Sequence, residues 1–246
     1  MFIIAFAGAR GAGKGVASDA AYDELVGHFS NVEIVSFSRL LKNICSILLD
    51  WSFVKGLHWN SKHLEVPQNI HITDERLKRI VETITNTPYE PKRVADGFSD
   101  THFSIKRRFM RGMINIGWFR NGRFYFNEAG MKYGRMLQLV GTEVMRAEFG
   151  NDVFVRHLFE KNKNEPAIII DDVRFIEELD AVRAHGGTVV RILRVNHTPD
   201  SSDGRSDTHQ SETAIDHIEL PVLTNAGDET FLRAVADFTR TLLPTT

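Results

Sequence analysis

The chain has 246 residues, of which 42% are hydrophobic and 25% are charged, and its formal net charge at pH 7 is -2. This length suits one α/β domain with a helical insertion and buries a sizeable core. The near-neutral charge excludes a protein that binds nucleic acid through bulk basic charge. The lone Cys45 stands in an apolar stretch, so it forms no internal disulfide and we interpret it as a core residue.

The N-terminal apolar run spans only seven residues and has no basic leader. It is too short to cross a membrane and does not have the pattern of a signal peptide. The sequence therefore predicts a cytoplasmic protein that has no membrane segment.

A strand followed by a glycine-rich turn opens the chain. Residues 1–7 are apolar and β-prone, and the sequence GARGAGKG follows at 8–15. The glycines let the backbone turn and point its N–H groups inward, while Lys14 supplies a positive charge for the outer phosphates of a nucleotide. We interpret 8–15 as a phosphate-binding loop ahead of a helix over 16–29. A purely structural glycine turn is the alternative.

A residue with a hydroxyl group that ligates magnesium usually follows the loop lysine. Here Gly15 and Val16 follow Lys14, and neither has a hydroxyl group. We therefore expect magnesium to be held through water and other side chains. A glycine after the lysine also occurs in adenylate kinase-like enzymes. This favours a nucleoside monophosphate kinase over a motor or a GTPase.

A second strand is predicted over 32–37, and the helix after it carries Arg39 and Lys42. The two cations stand three residues apart and share one helix face. This face either is solvated or meets the phosphate of a second substrate, because the carboxyl end of the strand lies beside the phosphate loop. Both readings stay open for Arg39, and the solvated face is favoured for Lys42.

The strand-loop-helix rhythm is lost from about 51 to 132, where we predict a largely helical insertion. One amphipathic helix is predicted over 74–85, and a hairpin that turns at Asn121 and Gly122 follows. The basic stretch at 106–111 has the composition of a nucleic-acid patch, but we favour an exposed helix face that helps to close over an anionic substrate.

The helical pattern returns at 134–146, where polar side chains form one stripe that Gly141 interrupts. The stripe is either the solvated side of the helix or a cleft wall that binds a phosphate and a base edge. Its members are Arg135, Gln138, Thr142 and Arg146.

The most strand-like run is 166–173, in which three isoleucines lead into Asp171 and Asp172. This pattern is typical of a buried parallel strand with acidic groups at its carboxyl end, as in a Walker B element. We expect Asp171 to accept water ligands of magnesium and Arg174 to neutralise a transferring phosphoryl group. A structural Asp–Arg pair is the alternative.

The remaining pattern predicts a helix over 176–185, a strand over 188–195, a short helix at 211–214, an edge strand over 220–225 and a closing helix over 227–243. This strand-helix-strand alternation is what a doubly wound parallel sheet requires. The polar segment 196–210 is interpreted as a mobile lid, with a surface loop as the alternative. Arg194 and Arg205 are the candidates to reach phosphates when the lid closes.

Seven segments together resemble the deoxynucleoside monophosphate kinases encoded by tailed bacteriophages. The LQ-x-x-GTE-x-x-R block and the DDVRF strand are the most specific of them, and the region 51–132 is outside the resemblance. The segments are GARGAGKG at 8–15, SFSRLLK at 36–42, LQLVGTEVMRAEFG at 137–150, IIIDDVRFIEE at 168–178, RILR at 191–194, DTHQSE at 207–212 and TNAGDETFL at 224–232.

The resemblance implies a P-loop nucleoside monophosphate kinase-like α/β fold of three layers, with a parallel sheet, a helical insertion and a lid. It implies one domain over 1–246, with a core at 1–50 and 133–246, a substrate-binding insertion at about 51–132 and the lid at about 196–210. The implied reaction is transfer of the γ-phosphoryl group of ATP to a deoxynucleoside monophosphate, with Mg²⁺, in the host cytoplasm. The family suggests a homodimer, and neither a membrane nor nucleic acid is expected as a partner.

The resemblance and the loop chemistry also assign site residues. Those assigned to ATP are Gly8, Ala9, Arg10, Gly11, Ala12, Gly13, Lys14, Gly15, Val16, Arg205 and Asn225. Those assigned to the monophosphate are Ser36, Phe37, Arg39, Lys42, Arg135, Gln138, Thr142 and Arg146. Those assigned to catalysis are Lys14, Asp171, Arg174 and Arg194, with Asp171 also holding the metal through water.

No Ser-His-Asp or Cys-His set stands out, and phosphoryl transfer requires no protein nucleophile. We therefore expect direct in-line transfer, in which Lys14, Arg174 and either Arg194 or Arg205 offset the charge of the moving group. Two alternatives remain open. One is another small-molecule kinase that resembles dephospho-coenzyme A kinase, and the other is a non-enzymatic nucleotide-binding or DNA-binding module that uses 106–111.

Overall fold

The computed structural model describes residues 1–51, 63–86, 101–195 and 214–244. The chain divides into two compact units. The first unit comprises Met1–Phe37, Leu158–Asp200 and Asp207–Thr246, and the second comprises Ser38–His157 and Ser201–Ser206. The lid predicted at 196–210, its Arg205 and most of the short helix predicted at 211–214 lie outside the described residues.

The first unit is built on a five-stranded parallel sheet with the strand order β2-β6-β1-β7-β8. The central β1 pairs with β6 on one side and with β7 on the other, so its apolar run is buried. The doubly wound parallel sheet and the edge position of β8 are thereby confirmed. The strands are β1 (Phe2–Ala7), β2 (Val32–Val35), β6 (Ala167–Val173), β7 (Thr188–Arg194) and β8 (Val222–Asn225).

Helices cover both faces of this sheet. Successive side chains of a strand point to opposite faces, so apolar side chains on each face pack against helices. Ile4 and Phe6 of β1 belong to a buried cluster with residues of α1 and α9. Ile3 points to the other face, where a Cβ atom on Gly187 would lie 2.8 Å from both Ile3 and Val182 of α8. The three-layer α/β fold is thereby confirmed. The helices are α1 (Lys14–Leu25), α8 (Ile176–Ala184) and α9 (Glu229–Thr241).

Local capping explains where two helices begin. The Asp228 carboxylate accepts a hydrogen bond from the Thr230 N–H group at 3.1 Å and caps α9. In the second unit the Thr73 hydroxyl accepts from the Arg76 N–H group at 3.2 Å and caps α3. The helix after the phosphate loop begins at Lys14, two residues before the predicted start.

The second unit combines helices with an antiparallel sheet of order β3-β5-β4. The predicted hairpin is confirmed: Asn121 and Gly122 both have positive φ, at 50° and 73°, as a type I′ turn requires. The elements of the second unit are α2 (Ser38–Leu49), β3 (Asn69–His71), α3 (Asp74–Thr85), α4 (Thr101–Met113), β4 (Gly117–Arg120), β5 (Arg123–Phe126), α5 (Tyr133–Leu139), α6 (Ala147–Phe149) and the first part of α7 (Val153–Lys161).

The helix that carries the polar stripe is continuous through Gly141, so the predicted interruption is wrong. A π-helical segment, Val140–Arg146, joins α5 to α6 while the backbone keeps right-handed helical angles at both junctions. Gly141 lies in close contact with α2, since a Cβ atom there would lie 3.0 Å from Leu41 Cδ2. The glycine therefore permits close helix packing and does not end the helix. Among the described helices, none has the length and apolar character needed to cross a membrane.

Candidate functional site

The first unit contains a loop with the backbone shape of a phosphate cradle. Gly8, Gly11 and Gly13 have φ values of 134°, 77° and 101°, which side chains of L residues rarely permit. A Cβ atom on Gly8 would also clash with the Ile192 carbonyl oxygen of β7. The predicted turn after β1 therefore depends on glycine at these positions, as a phosphate-binding turn built from backbone N–H groups does.

Side chains bind four carbonyl oxygens of this loop. Lys14 Nζ donates to the carbonyls of Gly8 at 2.8 Å and Ala9 at 2.9 Å. Outside the loop, Arg194 Nη1 donates to the Gly11 carbonyl at 3.0 Å. Because an amide N–H group points opposite the carbonyl of the same peptide plane, these contacts orient the N–H groups as well.

Asn225 supplies the fourth of these contacts. Its Nδ2 atom donates to the Ala12 carbonyl at 2.9 Å, and the side chain is buried. The structure thus brings Arg194 and Asn225, from the ends of β7 and β8, against the predicted phosphate loop.

The carboxyl end of β6 holds the two predicted aspartates in a β-bulge. Ala5 of β1 pairs with Ile170 and Ala7 pairs with Val173, so Asp171 and Asp172 together stand opposite one residue. Bulges of this kind re-aim side chains beside sites. The two carboxylates therefore point in directions that a regular strand would not give them.

Asp172 binds the end of β2. Its Oδ2 atom accepts from the Ser36 hydroxyl at 2.6 Å, and its Oδ1 atom accepts from the Phe37 N–H group at 2.7 Å. Asp172 thus holds the side chain of Ser36 and the backbone of Phe37, two residues that sequence reasoning assigned to substrate binding. Asp171, its neighbour, is partly exposed.

Arg174 follows β6, and Glu178 fixes its backbone. Glu178 Oε2 accepts from the N–H groups of Arg174 at 2.8 Å and Phe175 at 3.1 Å, at the start of α8. Glu178 is 3% exposed, so this carboxylate is satisfied by backbone donors inside the fold. Sequence reasoning missed Glu178, although a glutamate in the first turn of a helix is a known capping signal.

Magnesium chemistry fits the residues at this site. No group of three or more His, Cys, Asp or Glu side chains is placed to hold a metal anywhere in the described parts of the chain. Mg²⁺ does not need one, because it keeps several waters and binds one or two carboxylates together with substrate phosphates. Asp171 at the carboxyl end of β6 suits that role.

The polar stripe of the second unit is a compact set inside one helix. Gln138 and Arg146 are buried, and the Thr142 hydroxyl donates to the Gln138 carbonyl at 2.5 Å. Arg146 donates to the Asn151 carbonyl, and its guanidinium lies 5.1 Å from the ring centre of Phe154. These contacts fix Arg146 in one position.

The other predicted cations of this unit are more exposed. Arg135 Nε pairs with Glu128 Oε2 at 3.1 Å. Arg39 is exposed at the start of α2, and Lys42 is partly buried one turn later. The structure therefore brings Gln138, Thr142 and Arg146 together and leaves the remaining cations on the outside of their helices.

An ion pair joins exposed Arg111 to buried Glu148, and sequence reasoning missed it. Arg111 of α4 donates through Nε to both carboxylate oxygens of Glu148 at 2.9 Å, and a third contact runs from its Nη2. These hydrogen bonds, and then the charges of Arg111 and Arg108, hold the pKa of Glu148 below its usual range against the opposing effect of burial. Glu148 lies in α6, two residues after Arg146.

Most basic side chains of 106–111 contact their own protein. Lys106 pairs with Asp74 at 2.6 Å, and the Arg108 guanidinium lies 4.6 Å from the ring centre of Phe149. Together with the Arg111–Glu148 pair, these contacts account for three of the four cations of the stretch. The stretch is part of helix α4, as the interpretation as a helix face required.

One comparison with known proteins identifies a family. A sequence model described as deoxynucleotide monophosphate kinase matches residues 58–228, which is more than half of the chain. The matched range contains the polar stripe, the β6 motif, Arg194 and Asn225, and the phosphate loop precedes it. No curated protein matches the chain.

Proposed function

The chain belongs to the deoxynucleotide monophosphate kinase family and is therefore a phosphotransferase, and from this premise we propose direct in-line transfer of the γ-phosphoryl group of ATP to a deoxynucleoside monophosphate. Membership of a kinase family implies nucleotide substrates and the use of ATP. The supply of DNA precursors is the role that we propose for the reaction. The observation that supports the proposal most is the loop at 8–15, whose carbonyls accept hydrogen bonds from Lys14, Arg194 and Asn225 and whose glycines have positive φ at 8, 11 and 13.

We propose that Lys14 exchanges its two loop carbonyls for the outer phosphates of ATP. Its Nζ atom already lies within hydrogen-bonding distance of Gly8 and Ala9, at the mouth of the loop. Residues 8–16 bind the phosphates through backbone N–H groups and the positive end of α1. ATP supplies the phosphoryl group, and the loop holds the phosphates of ATP in one orientation.

Three side chains near the loop complete the donor half of this proposal. Arg174, fixed by Glu178, and Arg194, which contacts the loop, offset the negative charge that develops on the moving phosphoryl group. Asp171 holds Mg²⁺ through water. Arg10, Val16 and Arg205 are retained as ATP contacts.

The acceptor half uses the second unit and the end of β2. We propose that Gln138 and Thr142 bind the base edge, while buried Arg146 binds the phosphate through its planar guanidinium. In the first unit, Ser36 and Phe37, which donate hydrogen bonds to Asp172, are further proposed substrate contacts. The other proposed phosphate contacts are Arg39, Lys42 and Arg135.

Besides the reaction, we propose three properties of the whole protein that the sequence predicts. They are the single-domain organisation with its insertion at about 51–132, a homodimer and a cytoplasmic location. Size-exclusion chromatography with light scattering tests the homodimer, which a constant monomer mass from 1 to 100 times the working concentration would contradict.

An ADP-release assay tests the proposed reaction. The panel contains dAMP, dGMP, dCMP, dTMP, their ribose counterparts and dephospho-coenzyme A, each with ATP and Mg²⁺. We expect turnover with at least one deoxynucleotide and its loss in Lys14→Met, because that variant keeps the aliphatic stem and removes the charge.

Lys163→Met is the matched control, since Lys163 is exposed and pairs with Glu160 of α7. It is expected to retain full turnover. Release of ADP with dephospho-coenzyme A alone, or with no member of the panel, would contradict the proposed acceptor class. Thermal unfolding of each variant separates loss of chemistry from loss of the fold.

A further inference from the structure

We propose that Asn225 is a positioning residue that holds the phosphate loop in its binding shape and does not recognise the base of the donor nucleotide. The inference rests on the proposed function, since it takes the loop to be the site of the donor phosphates. The sequence assigns Asn225 to ATP without saying what its side chain does there, and the proposal gives that side chain a role.

Both ends of the Asn225 amide are engaged within the protein. The Nδ2 atom donates to the Ala12 carbonyl at 2.9 Å, and the Oδ1 atom accepts from the Gly227 N–H group at 2.8 Å. The side chain is 6% exposed. It therefore bridges the phosphate loop to the turn that precedes α9, and this position leaves little of it for an external ligand.

The same side chain explains part of the requirement for glycine at position 13. A Cβ atom on Gly13 would clash with Asn225 Nδ2, and Gly13 also has a φ of 101°. The loop backbone and the amide are thus packed against each other with no space for a side chain. Such a contact fixes the distance between the loop and β8.

The hydrogen bond to the Ala12 carbonyl also sets a donor direction. The peptide between Ala12 and Gly13 is planar and trans, so its N–H group points opposite the carbonyl that Asn225 binds. A fixed carbonyl therefore fixes the Gly13 N–H group. Without Asn225 this peptide plane can rotate, and the cradle loses an aligned donor before any phosphate arrives.

An amide suits this position better than a carboxylate does. Asp at 225 would bring an oxygen, which cannot donate, against the Ala12 carbonyl oxygen, and its charge would stand beside the bound phosphates. Ala would remove the contact without adding repulsion. We therefore expect Asn225→Asp to weaken phosphate binding more than Asn225→Ala does.

Equilibrium binding tests the proposal without any acceptor nucleotide. Calorimetric titrations with ATP, GTP and inorganic tripolyphosphate are compared for wild type, Asn225→Ala and Asn225→Asp. For Asn225→Ala we expect all three ligands to lose affinity by the same factor, about tenfold, because one hydrogen bond to a buried carbonyl is lost. A loss confined to ATP would show base recognition and overturn the proposal.

Hydrogen exchange of the ligand-free protein gives a second measurement. We expect faster exchange of the amides of residues 9–16 in both variants, and unchanged exchange there would overturn the proposal. A lower melting temperature with unchanged ligand affinity would also overturn it, since Asn225 would then be merely structural.

Asn31→Ala is the matched control, because Asn31 makes an exposed hydrogen bond to Glu165 near the start of β2. It should change neither affinity nor loop exchange. A protein that bound ATP and tripolyphosphate as expected, yet phosphorylated no monophosphate, would contradict the proposed function and leave the role of Asn225 supported.

Discussion

Two adjacent aspartates stand in the bulge at the end of β6. Asp172 accepts hydrogen bonds from Ser36 and Phe37, whereas Asp171 stands beside it in the same bulge and is partly exposed. The sequence predicts both as acidic groups at a strand end and does not separate their contacts. The contacts of Asp172 depend on the pairing of β6 with β2, which brings residues 136 positions apart together.

At the residue level, Arg174→Ala tests the proposed charge stabilisation. We expect kcat to fall by roughly 10²- to 10⁵-fold, because a cation that stabilises the transferring phosphoryl group is removed. The measurement is steady-state kinetics of ADP release at saturating ATP and monophosphate. Near-normal turnover in the folded variant would show that Arg174 has another role.

Arg183→Ala is the control for that substitution. Arg183 is exposed in the last turn of α8, the helix that Arg174 precedes. Its removal is expected to leave kcat within about twofold of wild type, since surface substitutions away from a site have small effects.

One helical segment, Val140–Arg146, is π-helical. Its last turn is closed by a hydrogen bond from the Ala147 N–H group to the Thr142 carbonyl, five residues back. π-Helical turns often accompany functional sites, and this one carries Thr142 and Arg146. It packs against α4 at Gly112, where no space for a side chain is left.

The contact at Gly112 predicts a packing cost. A Cβ atom there would lie 2.9 Å from Val144 Cα, Val144 Cγ1 and Glu148 Cγ. Backbone at that distance cannot give way cheaply, so Gly112→Ala should lower the free energy of unfolding by about 1–3 kcal/mol despite the better helix propensity of alanine. Urea denaturation measures the change.

Gly27→Ala is the matched glycine control, because no atom lies within 4 Å of the Cβ position at Gly27. We expect its free energy of unfolding to stay within about 0.5 kcal/mol of wild type. Equal losses in the two variants would show that the contact with the π-helical segment is not the cause.

The Arg111–Glu148 pair predicts a pH dependence of stability. The folded protein holds the pKa of Glu148 below its unfolded value, so the pair stabilises the fold above the unfolded pKa of about 4.3. That contribution is lost as pH falls through the lowered folded value. Urea midpoints between about pH 6 and pH 3 should therefore fall more steeply for wild type than for Glu148→Gln.

Glu160→Gln is the control for this measurement, since its exposed pair with Lys163 lies at the end of α7. Its midpoints should follow those of wild type. If Glu148→Gln also followed wild type across the whole pH range, the pair would not contribute the expected stability.

For the whole molecule, binding of ATP to the phosphate loop predicts ligand-dependent stability. A ligand present at 100 times its Kd raises the free energy of unfolding by about 2.7 kcal/mol if it binds only the folded state. Thermal unfolding followed by circular dichroism should therefore shift upward with ATP in wild type and in Lys163→Met. The shift should be lost in Lys14→Met, and its persistence there would argue against the loop as the ATP site.

The sequence predicts the local features of this molecule well. The glycines at 8 and 13, the isoleucines of β6 and the Asn121–Gly122 turn each act within a few residues, through allowed backbone angles or through burial. These signals predict the parallel sheet and the hairpin, which the structure confirms, and a turn at 8–15 whose glycines at 8, 11 and 13 have positive φ in the structure. The family match further supports the resemblance that the motifs carry.

The continuous helix at 133–149 shows where local reasoning stops. A glycine inside a helical pattern predicts an interruption, yet Gly141 lies within the π-helical segment and against Leu41 of another helix. Helix propensity weighs one chain segment, whereas close packing between two helices decides whether a glycine there breaks the helix or admits a neighbour.

The amino-acid sequence by itself determines that this is a P-loop α/β protein with nucleotide phosphate chemistry, because backbone conformation and apolar burial are encoded in short runs. Only the tertiary structure decides which side chains hold the site in shape. Three hydrogen-bonded pairs are far apart in the sequence. Asn225 and Ala12 are separated by 213 positions, and Asp172 and Ser36 by 136 positions. Arg111 and Glu148 are separated by 37 positions. Such pairs form where packed elements bring polar groups out of water together, and desolvation leaves each buried group in need of its partner.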